Sequence, residues 1–232
     1  MNARQRAERS GHPGEPRLPA AYAVVVAAAL YAALPGKLII GPRFVIPALE
    51  LLLLVPLIAI NPRRMVRENW LMRRLSIALV LVIAMANGVS LVLLIIELVS
   101  GQVREGRQLL LAAGQVWVTN IIIFGLAFWE LDRGGPVRRT QAKGELPVAD
   151  FRFPQDEDHD AVAEVAARSS ARSGWTPGFV DYLYVSVTNS SAFSPTDTMP
   201  LSARAKLLMS AESVSALILS VLVISRGVSL LR

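Results

Sequence analysis

The chain has 232 residues, of which 53% are hydrophobic, a formal net charge of +6 and no cysteine. A mean hydropathy of +0.45 with several long uncharged runs is typical of a polytopic membrane protein and argues against an ordinary soluble domain. The absence of cysteine excludes disulfides, thiolate metal sites and cysteine catalysis. The excess of Lys and Arg indicates loops that face anionic lipid, and since no basic recognition motif is present we expect no nucleic-acid binding.

The first 136 residues consist of a polar tail and four apolar runs. Residues 1–17 combine charges with Pro and Gly, which predicts a disordered tail. The apolar runs predict membrane-spanning helices at 18–34, 44–60, 75–99 and 116–131. Residues 101–114 are expected to form a short polar connection with an interfacial helix. Residues 18–136 are therefore predicted to be a four-helix transmembrane region.

The rest of the chain begins with a polar segment and then becomes apolar again. Residues 137–176 are rich in charges and predict a cytoplasmic loop, within which 158–172 is compatible with a short helix. Residues 177–232 predict a half-helix over 179–191, a turn, and a final apolar helix over 203–231. The expected fold is an all-α membrane protein with about five transmembrane helices and one re-entrant, pore-like half-helix.

The distribution of basic residues predicts the orientation in the membrane. Five arginines crowd the connection between the second and third runs: Arg63, Arg64, Arg67, Arg73 and Arg74. By the positive-inside rule this connection, the N-terminus and the 137–176 segment lie in the cytoplasm and, together with Arg133, carry sixteen of the 24 basic residues. A re-entrant 179–191 helix then enters from the cytoplasm, whereas a full crossing gives six spans. We favour re-entry, because Asp181 and Asn189 suit a half-helix that lines a cavity.

The stretch 181–200 reads DYLYVSVTNSSAFSPTDTMP. It resembles, without a gap, the pore helix and filter of tetrameric potassium channels, whose pattern is D-x-L-Y-x-S-V-x-T-x-T-T-x-G-Y-G-D-x-x-P. The matching positions are Asp181, Leu183, Tyr184, Ser186, Val187, Asp197 and Pro200. The resemblance implies a pore helix that carries Asp181, Tyr184, Ser186 and Thr188, an inner helix after it, and a homo-oligomer, with a tetramer favoured.

The centre of the filter differs from the channel pattern. Ser194, Pro195 and Thr196 stand where the channels have Gly-Tyr-Gly. The channel glycines permit backbone angles that a Cβ forbids, while Pro195 restricts φ and removes an N–H, so an extended column of carbonyl oxygens is broken. We therefore expect a channel-like shape without potassium selectivity of the glycine-filter kind.

Oxygen-bearing side chains around this turn are the candidate ion ligands. They are Ser190, Ser191, Ser194, Thr196, Asp197 and Thr198. Such oxygens coordinate a partly hydrated monovalent ion. The same residue types are also ordinary turn and helix-capping residues. The sequence leaves both interpretations open.

Two carboxylates fall inside the predicted spans. Glu50, in the second run, suits an ion ligand or proton site unless it lies near the end of the span or pairs with an arginine. Glu212, in the last helix, shares a face with Ala216 and Ser220. That face either lines a cavity that attracts cations or permits close helix packing.

No set of residues in the sequence suggests catalysis or metal binding. Serine, histidine and acid are not combined in a recognisable triad motif, and no Gly-rich phosphate loop is present. The acidic run 156–160 lacks the spacing of a calcium loop and is interpreted as a solvated segment. We therefore expect no enzyme activity, no cofactor and no metal site.

The channel resemblance is limited to the C-terminal part of the chain, and two motifs carry a second resemblance that covers the whole chain: WELDRGG at 129–135 and FSPTDTMP at 193–200. They resemble the marks of a family of small bacterial integral membrane proteins of uncharacterised activity. The resemblance implies a multi-pass protein of the bacterial inner membrane with a cytoplasmic N-terminus. The expected function is an ion-channel-like protein whose ion path is formed by the 191–198 turn and the last helix of an oligomer. The alternatives are a non-conducting scaffold or partner-binding subunit, and a small proton-coupled transporter that uses Glu50 or Glu212.

Overall fold

The structure is a computed structural model that describes residues 13–67, 70–100, 106–141, 147–157, 162–191 and 197–230. The α-helices in these residues are α1 Leu18–Ala32, α2 Val45–Ile60, α3 Trp70–Ser100, α4 Gly106–Leu131, α5 Pro136–Gln141, α6 Ala163–Ala166, α7 Ser170–Ser173, α8 Phe179–Ser191 and α9 Ala203–Leu230. Four two-residue strands form two antiparallel pairs: β1 Glu15–Pro16 with β2 Arg64–Met65, and β3 Phe151–Arg152 with β4 Met199–Pro200.

Three helices, α3, α4 and α9, are long and apolar enough to cross a membrane. Helices α1 and α2 are apolar but shorter, with 15 and 16 residues. The prediction of an all-α, multi-pass membrane protein is confirmed for the three long helices. A bilayer core of about 30 Å needs about 20 helical residues, which is why the two short helices do not meet the same criterion.

The bounds of the C-terminal helices agree with the sequence prediction, since α8 spans Phe179–Ser191 and α9 begins at Ala203. In the polar segment, the expected short helix is two shorter ones, α6 and α7, while residues 158–161 lie outside the described residues. Most of the predicted disordered tail, residues 1–12, also lies outside the described residues. Residues 13–17 are described and pack against the bundle.

Two predicted boundaries were wrong. Arg73 and Arg74 lie inside α3 and not in a loop, because the helix begins at Trp70. Helix α4 begins at Gly106, so most of the expected connection at 101–114 is helical. The reason is visible in α4 itself, where a buried stripe of helical period continues toward its start through Leu109, Ala112, Ala113 and Val116.

One end of the bundle, which we call the basic end, gathers the starts of α1, α3, α8 and α9 and the ends of α2 and α4. The β1–β2 pair joins the residues before α1 to those after α2. Arg73 in α3 donates to the Glu130 carbonyl oxygen of α4 over 3.2 Å. Arg204 in α9 donates to the Leu131 carbonyl oxygen over 3.4 Å, and the rings of Phe179 and Trp129 are in contact. Helices α8 and α9 therefore start from the same end of the bundle.

A layer of polar residues divides the hydrophobic core into two clusters. Toward the basic end the first cluster includes Ile83, Ile122 and Leu54, and beyond the layer the second includes Leu94 and Val116. Helices α2, α3, α4 and α9 each pass from one cluster to the other through a polar residue. We define this polar layer as Glu50, Asn87, Asn120, Glu212 and Ser215.

Helix α8 is seated on α4 through a glycine. A Cβ built on Gly125 would lie 3.2 Å from the Cα of Leu183 and 3.3 Å from its Cδ1, so the two helix backbones approach closely at this point. Gly114, on the same helix, has open space in the corresponding direction. Gly125 thus fixes how deeply α8 packs into the bundle.

We expect Gly125→Leu to destabilise the protein by about 1–3 kcal/mol, because the new side chain must push α8 away from α4. Gly114→Leu, which adds the same atoms to the same helix at an exposed position, is the matched control and should have little effect. Thermal unfolding of both variants in detergent measures the difference. Equal unfolding temperatures would show that the close approach does not constrain α8.

Candidate functional site

The start of α8 is held by the carboxylate of Glu15. Its Oε1 accepts hydrogen bonds from the Phe179 backbone N–H over 2.6 Å and from Trp129 Nε1 over 2.7 Å. Its Oε2 pairs with Arg139 Nη2 at 3.3 Å. A carboxylate is favoured at a helix N-terminus, where backbone N–H groups lack partners. Burial nevertheless raises the pKa of Glu15, against the opposing effects of Arg139 and the two N–H donors.

Beside Glu15 lies a second buried cluster, formed by Asp132, Arg139 and Tyr182. Arg139 is fully buried; it donates to the carbonyl oxygens of Trp129 and Asp132 over 2.9 Å each and lies 4.9 Å from the centre of the Tyr182 ring. The Tyr182 hydroxyl donates to Asp132 Oδ2 over 2.5 Å. Burial raises the pKa of Tyr182 well above its ordinary value. These contacts fix the first turn of α8 to the end of α4.

The WELDRGG motif makes the turn that this cluster requires. Arg133, Gly134 and Gly135 have φ values of 52°, 80° and 95°, which are in the region that favours glycine. The turn lets Asp132 Oδ1 accept the backbone N–H of Asp150 over 2.7 Å. Asp150 in turn pairs with Arg204 at the start of α9. The motif thus positions the starts of both C-terminal helices.

At its other end, α8 contacts the carboxylate of Glu212 in α9. Glu212 is fully buried; its Oε1 accepts from Ser190 Oγ over 2.8 Å and from Ser186 Oγ, and its Oε2 accepts from Asn189 Nδ2 over 2.7 Å. Ser213 Oγ donates to Asn189 Oδ1 over 2.9 Å. We call Ser186, Asn189, Ser190 and Glu212 the Glu212 site.

When Glu212 is ionised, the hydroxyl hydrogens at the Glu212 site are too few for the acceptors around them. Ser186 Oγ has a single hydrogen, yet it lies within hydrogen-bond distance of two acceptors, Glu212 Oε1 and the Ile121 carbonyl oxygen at 2.8 Å. With Glu212 ionised, Ser186 can serve only one of them. A proton or another cation at Oε1 lets Ser186 donate to Ile121 while its oxygen still contacts Oε1. The site is therefore suited to bind a positive charge.

The Glu212 site continues into the polar layer. Ser215 Oγ donates to the Glu212 carbonyl oxygen over 2.8 Å and accepts from Asn120 Nδ2 over 3.0 Å. Asn87 Nδ2 lies 3.4 Å from Asn120 Oδ1, so the two asparagines link α3 to α4 as expected of interhelical hydrogen-bonding groups. Hydrogen bonds thus run from α3 to α8 through the middle of the bundle.

The predicted pore-helix residues lie on different sides of α8. Ser186 faces inward to Glu212, whereas Tyr184 is 55% exposed on the outer side. Thr188 and Ser191 bond back to their own helix, to the carbonyls of Tyr184 and Thr188. Asp181 Oδ2 accepts the Gly178 N–H over 2.7 Å and so caps the helix start. Of the predicted residues that the structure describes, it therefore brings only Ser186 and Ser190 onto Glu212.

The filter-like turn is described only at its two ends. Ser194 and Thr196 lie outside the described residues, with the rest of 192–196. Asp197 is exposed and Thr198 is 4% exposed. Both lie at the basic end, because Met199–Pro200 pairs with Phe151–Arg152 there. The last turn of α8 therefore lies at the depth of Glu212, whereas Asp197 lies at the end of the bundle at which α8 began.

The two predicted intramembrane carboxylates are both buried, Glu212 completely and Glu50 with 1% exposure. The expected stripe of Glu212, Ala216 and Ser220 does not face one cavity, since Glu212 and Ala216 are buried within the protomer and Ser220 is exposed. Among the described residues, no group of three or more His, Cys, Asp or Glu side chains is placed to hold a metal ion.

Four residues described above were not predicted as site residues: Glu15, Asp132, Arg139 and Asn120. The contact of Asn189 with Glu212 was not predicted either. Arg139 and Glu15 belong to polar segments, in which the sequence does not distinguish a buried charge from a solvated one. Asp132 lies in the WELDRGG motif, which marked the segment but not its partners.

No protein family model, curated protein or solved structure matches the chain. The functional interpretation therefore depends on the geometry of the buried charges around Glu15 and Arg139, of the Glu212 site and of the polar layer.

Proposed function

We propose that the protein is an ion-channel-like membrane protein that conducts monovalent cations, with the Glu212 site as the intramembrane cation site. The observation that carries this proposal is the course of the chain through α8. The helix starts at the basic end, its last turn contacts Glu212, and the chain then returns to the basic end before α9 begins. At about 1.5 Å per residue, its 13 residues extend about 20 Å, less than a bilayer core.

In this proposal α8 is a re-entrant half-helix, and α1 and α2 join α3, α4 and α9 as five transmembrane helices. The basic end faces the cytoplasm, because the arginine-rich connection between α2 and α3 lies there. The C-terminal end of α9 then lies outside. The resemblance of 181–200 to a potassium-channel pore loop supports the re-entrant course, although the loop here enters from the cytoplasmic side.

The ion path passes the 191–198 turn and the Glu212 site. Hydroxyl and carboxylate oxygens are ligands for a partly hydrated cation, and a buried carboxylate inside a membrane bundle is costly without such a role. Replacement of the glycine filter by Ser194, Pro195 and Thr196 argues against potassium selectivity of the usual kind. The exposed apolar face of α8 and α9, with Tyr184, suits a homo-oligomer, with a tetramer favoured as the channel resemblance implies.

Ion flux into liposomes that contain the purified protein tests this function. We expect uptake of monovalent cations down an imposed gradient, at a rate that depends on protein content. Empty liposomes and an unrelated helical membrane protein are the controls. Absence of flux for sodium, potassium and protons would reject conduction and favour a non-conducting scaffold, whereas native mass spectrometry that finds only a monomer would reject the oligomer.

A further inference from the structure

A second carboxylate, Glu50, lies in the bundle without the partners that Glu212 has. It is on the buried face of α2, together with Pro47, Leu54 and Leu57. Its Oε2 is buried and has no hydrogen-bond partner among the described residues. Tyr31 of α1 is within electrostatic reach. An ionised carboxylate in such surroundings is costly unless a positive charge compensates it.

Two neighbouring cavities lie between the basic end and Leu54. The outer one, of about 40 Å³, is lined by residues that include Asn61, Arg73 and Glu130. The inner one, of about 20 Å³, lies among the aliphatic side chains of α1 to α4 and reaches Leu54. The two cavities share four lining residues: Arg17, Leu57, Ser76 and Trp129. Each is large enough for at least one water molecule.

Leu54 lies one helical turn from Glu50 on the same face of α2. The inner cavity therefore ends one helical turn from Glu50, which lines neither cavity. Ser76, at the junction of the two cavities, donates to Glu130 Oε2 over 2.8 Å and supplies a hydroxyl for water. The two cavities together form a narrow crevice that extends from the basic end to Leu54, one helical turn from the polar layer.

The groups that face this crevice and Glu50 can be named for each packed helix. At the mouth are Arg17, Arg67, Arg73 and Glu130, and Arg73 lies 3.7 Å from Glu130. Tyr31 of α1 interacts electrostatically with Glu50, and the buried polar residues in the middle of α3, Asn87 and Ser90, are neutral. Among the described residues, Glu50 belongs to no group of three or more His, Cys, Asp or Glu side chains placed to hold a metal ion. A proton needs only one carboxylate oxygen to bind.

We propose that Glu50 is a proton-binding site that exchanges its proton with the basic end through this crevice. A hydronium ion that enters from the basic end gives its proton to a carboxylate oxygen of Glu50 and becomes water, and release of the proton to water reverses this step. A transient water molecule bridges the last helical turn between Leu54 and Glu50. Glu50 is neutral when the proton is bound, which removes the cost of an unpaired charge. The inference does not depend on conduction at the Glu212 site.

Infrared spectroscopy of the protein in lipid tests this proposal without any flux measurement. We expect a carbonyl-stretch band of a protonated carboxyl group that is lost in Glu50→Gln and retained in Glu212→Gln, and that shifts when the sample is transferred to D2O. A carboxyl spectrum unchanged by Glu50→Gln over the accessible pH range would overturn the proton site.

The crevice is tested separately by the rate of that D2O shift. Leu54→Phe, which fills the inner cavity, should slow the exchange of the Glu50 proton, whereas Leu52→Phe, on the exposed face of the same helix, should not. Ser76→Val, at the junction of the cavities, is a second variant that should slow it if Leu54→Phe does not fold. Exchange as fast as wild type in the folded variants would overturn this access route.

Discussion

Replacement of Arg139 by methionine is expected to lower the free energy of unfolding by about 3–5 kcal/mol, because it removes one partner of a buried ion pair. Glu15 loses its counter-ion, and the carbonyl oxygens of Trp129 and Asp132 lose their donor. The substitution also removes the cation from the face of the Tyr182 ring. The variant should therefore loosen the attachment of α8 to α4 as well as reduce stability.

Thermal unfolding and titration with a denaturing detergent measure this loss. Arg138→Met is the matched control, since Arg138 is the exposed neighbour on the same short helix. Glu15→Gln combined with Arg139→Met should recover part of the stability, because the uncompensated carboxylate is then removed. Equal stability of the Arg138 and Arg139 variants would show that the buried pair does not hold the start of α8.

Glu212→Gln is expected to weaken cation binding on the ion path by about ten- to hundredfold, because a charge-assisted contact is worth about 1.5–3 kcal/mol. The amide keeps the shape of the side chain and an oxygen that accepts from Ser186 and Ser190, but it removes the negative charge. The fold should therefore persist while the concentration of cation that gives half-maximal flux rises.

Flux into liposomes, measured over a range of cation concentrations, gives this value for each variant. Glu164→Gln removes the same charge from an exposed position on α6 and is the matched control. Thermal unfolding confirms that the Glu212 variant is intact. A concentration dependence identical to that of wild type would place the ion path away from Glu212, even if the protein conducts.

Local patterns were sufficient to predict the C-terminal helices. The pore-loop-like sequence of 181–200 carries its own signals, including Asp181 in the first turn of α8 and Pro200 shortly before α9. These signals act over one or two turns, so they can be read without knowing the rest of the fold. The start of α4 was misplaced for a related reason, because polar residues near Gly106 hid a buried stripe that only packing reveals.

The partners of the buried charges could not be predicted in the same way. Arg139 meets Glu15 across 124 residues, and Glu212 meets Ser186 across 26. The sequence around Arg139 does not distinguish it from Arg138, its exposed neighbour. Whether such a charge is solvated or buried depends on which helices pack around it, and this is a property of the whole bundle.

By itself, the sequence determined that the chain is an apolar helical membrane protein, where α8 and α9 lie, and that Glu50 and Glu212 are unusual inside apolar runs. Hydrophobicity, helix-capping residues and charge density are local quantities, so composition and spacing are enough to recognise them. Only the tertiary structure decided that α8 turns inward onto Glu212, that Glu50 is buried with an oxygen that has no hydrogen-bond partner among the described residues, and that a polar layer divides the core. Each of these depends on contacts between distant segments, which are selected by the packing of the helices against one another.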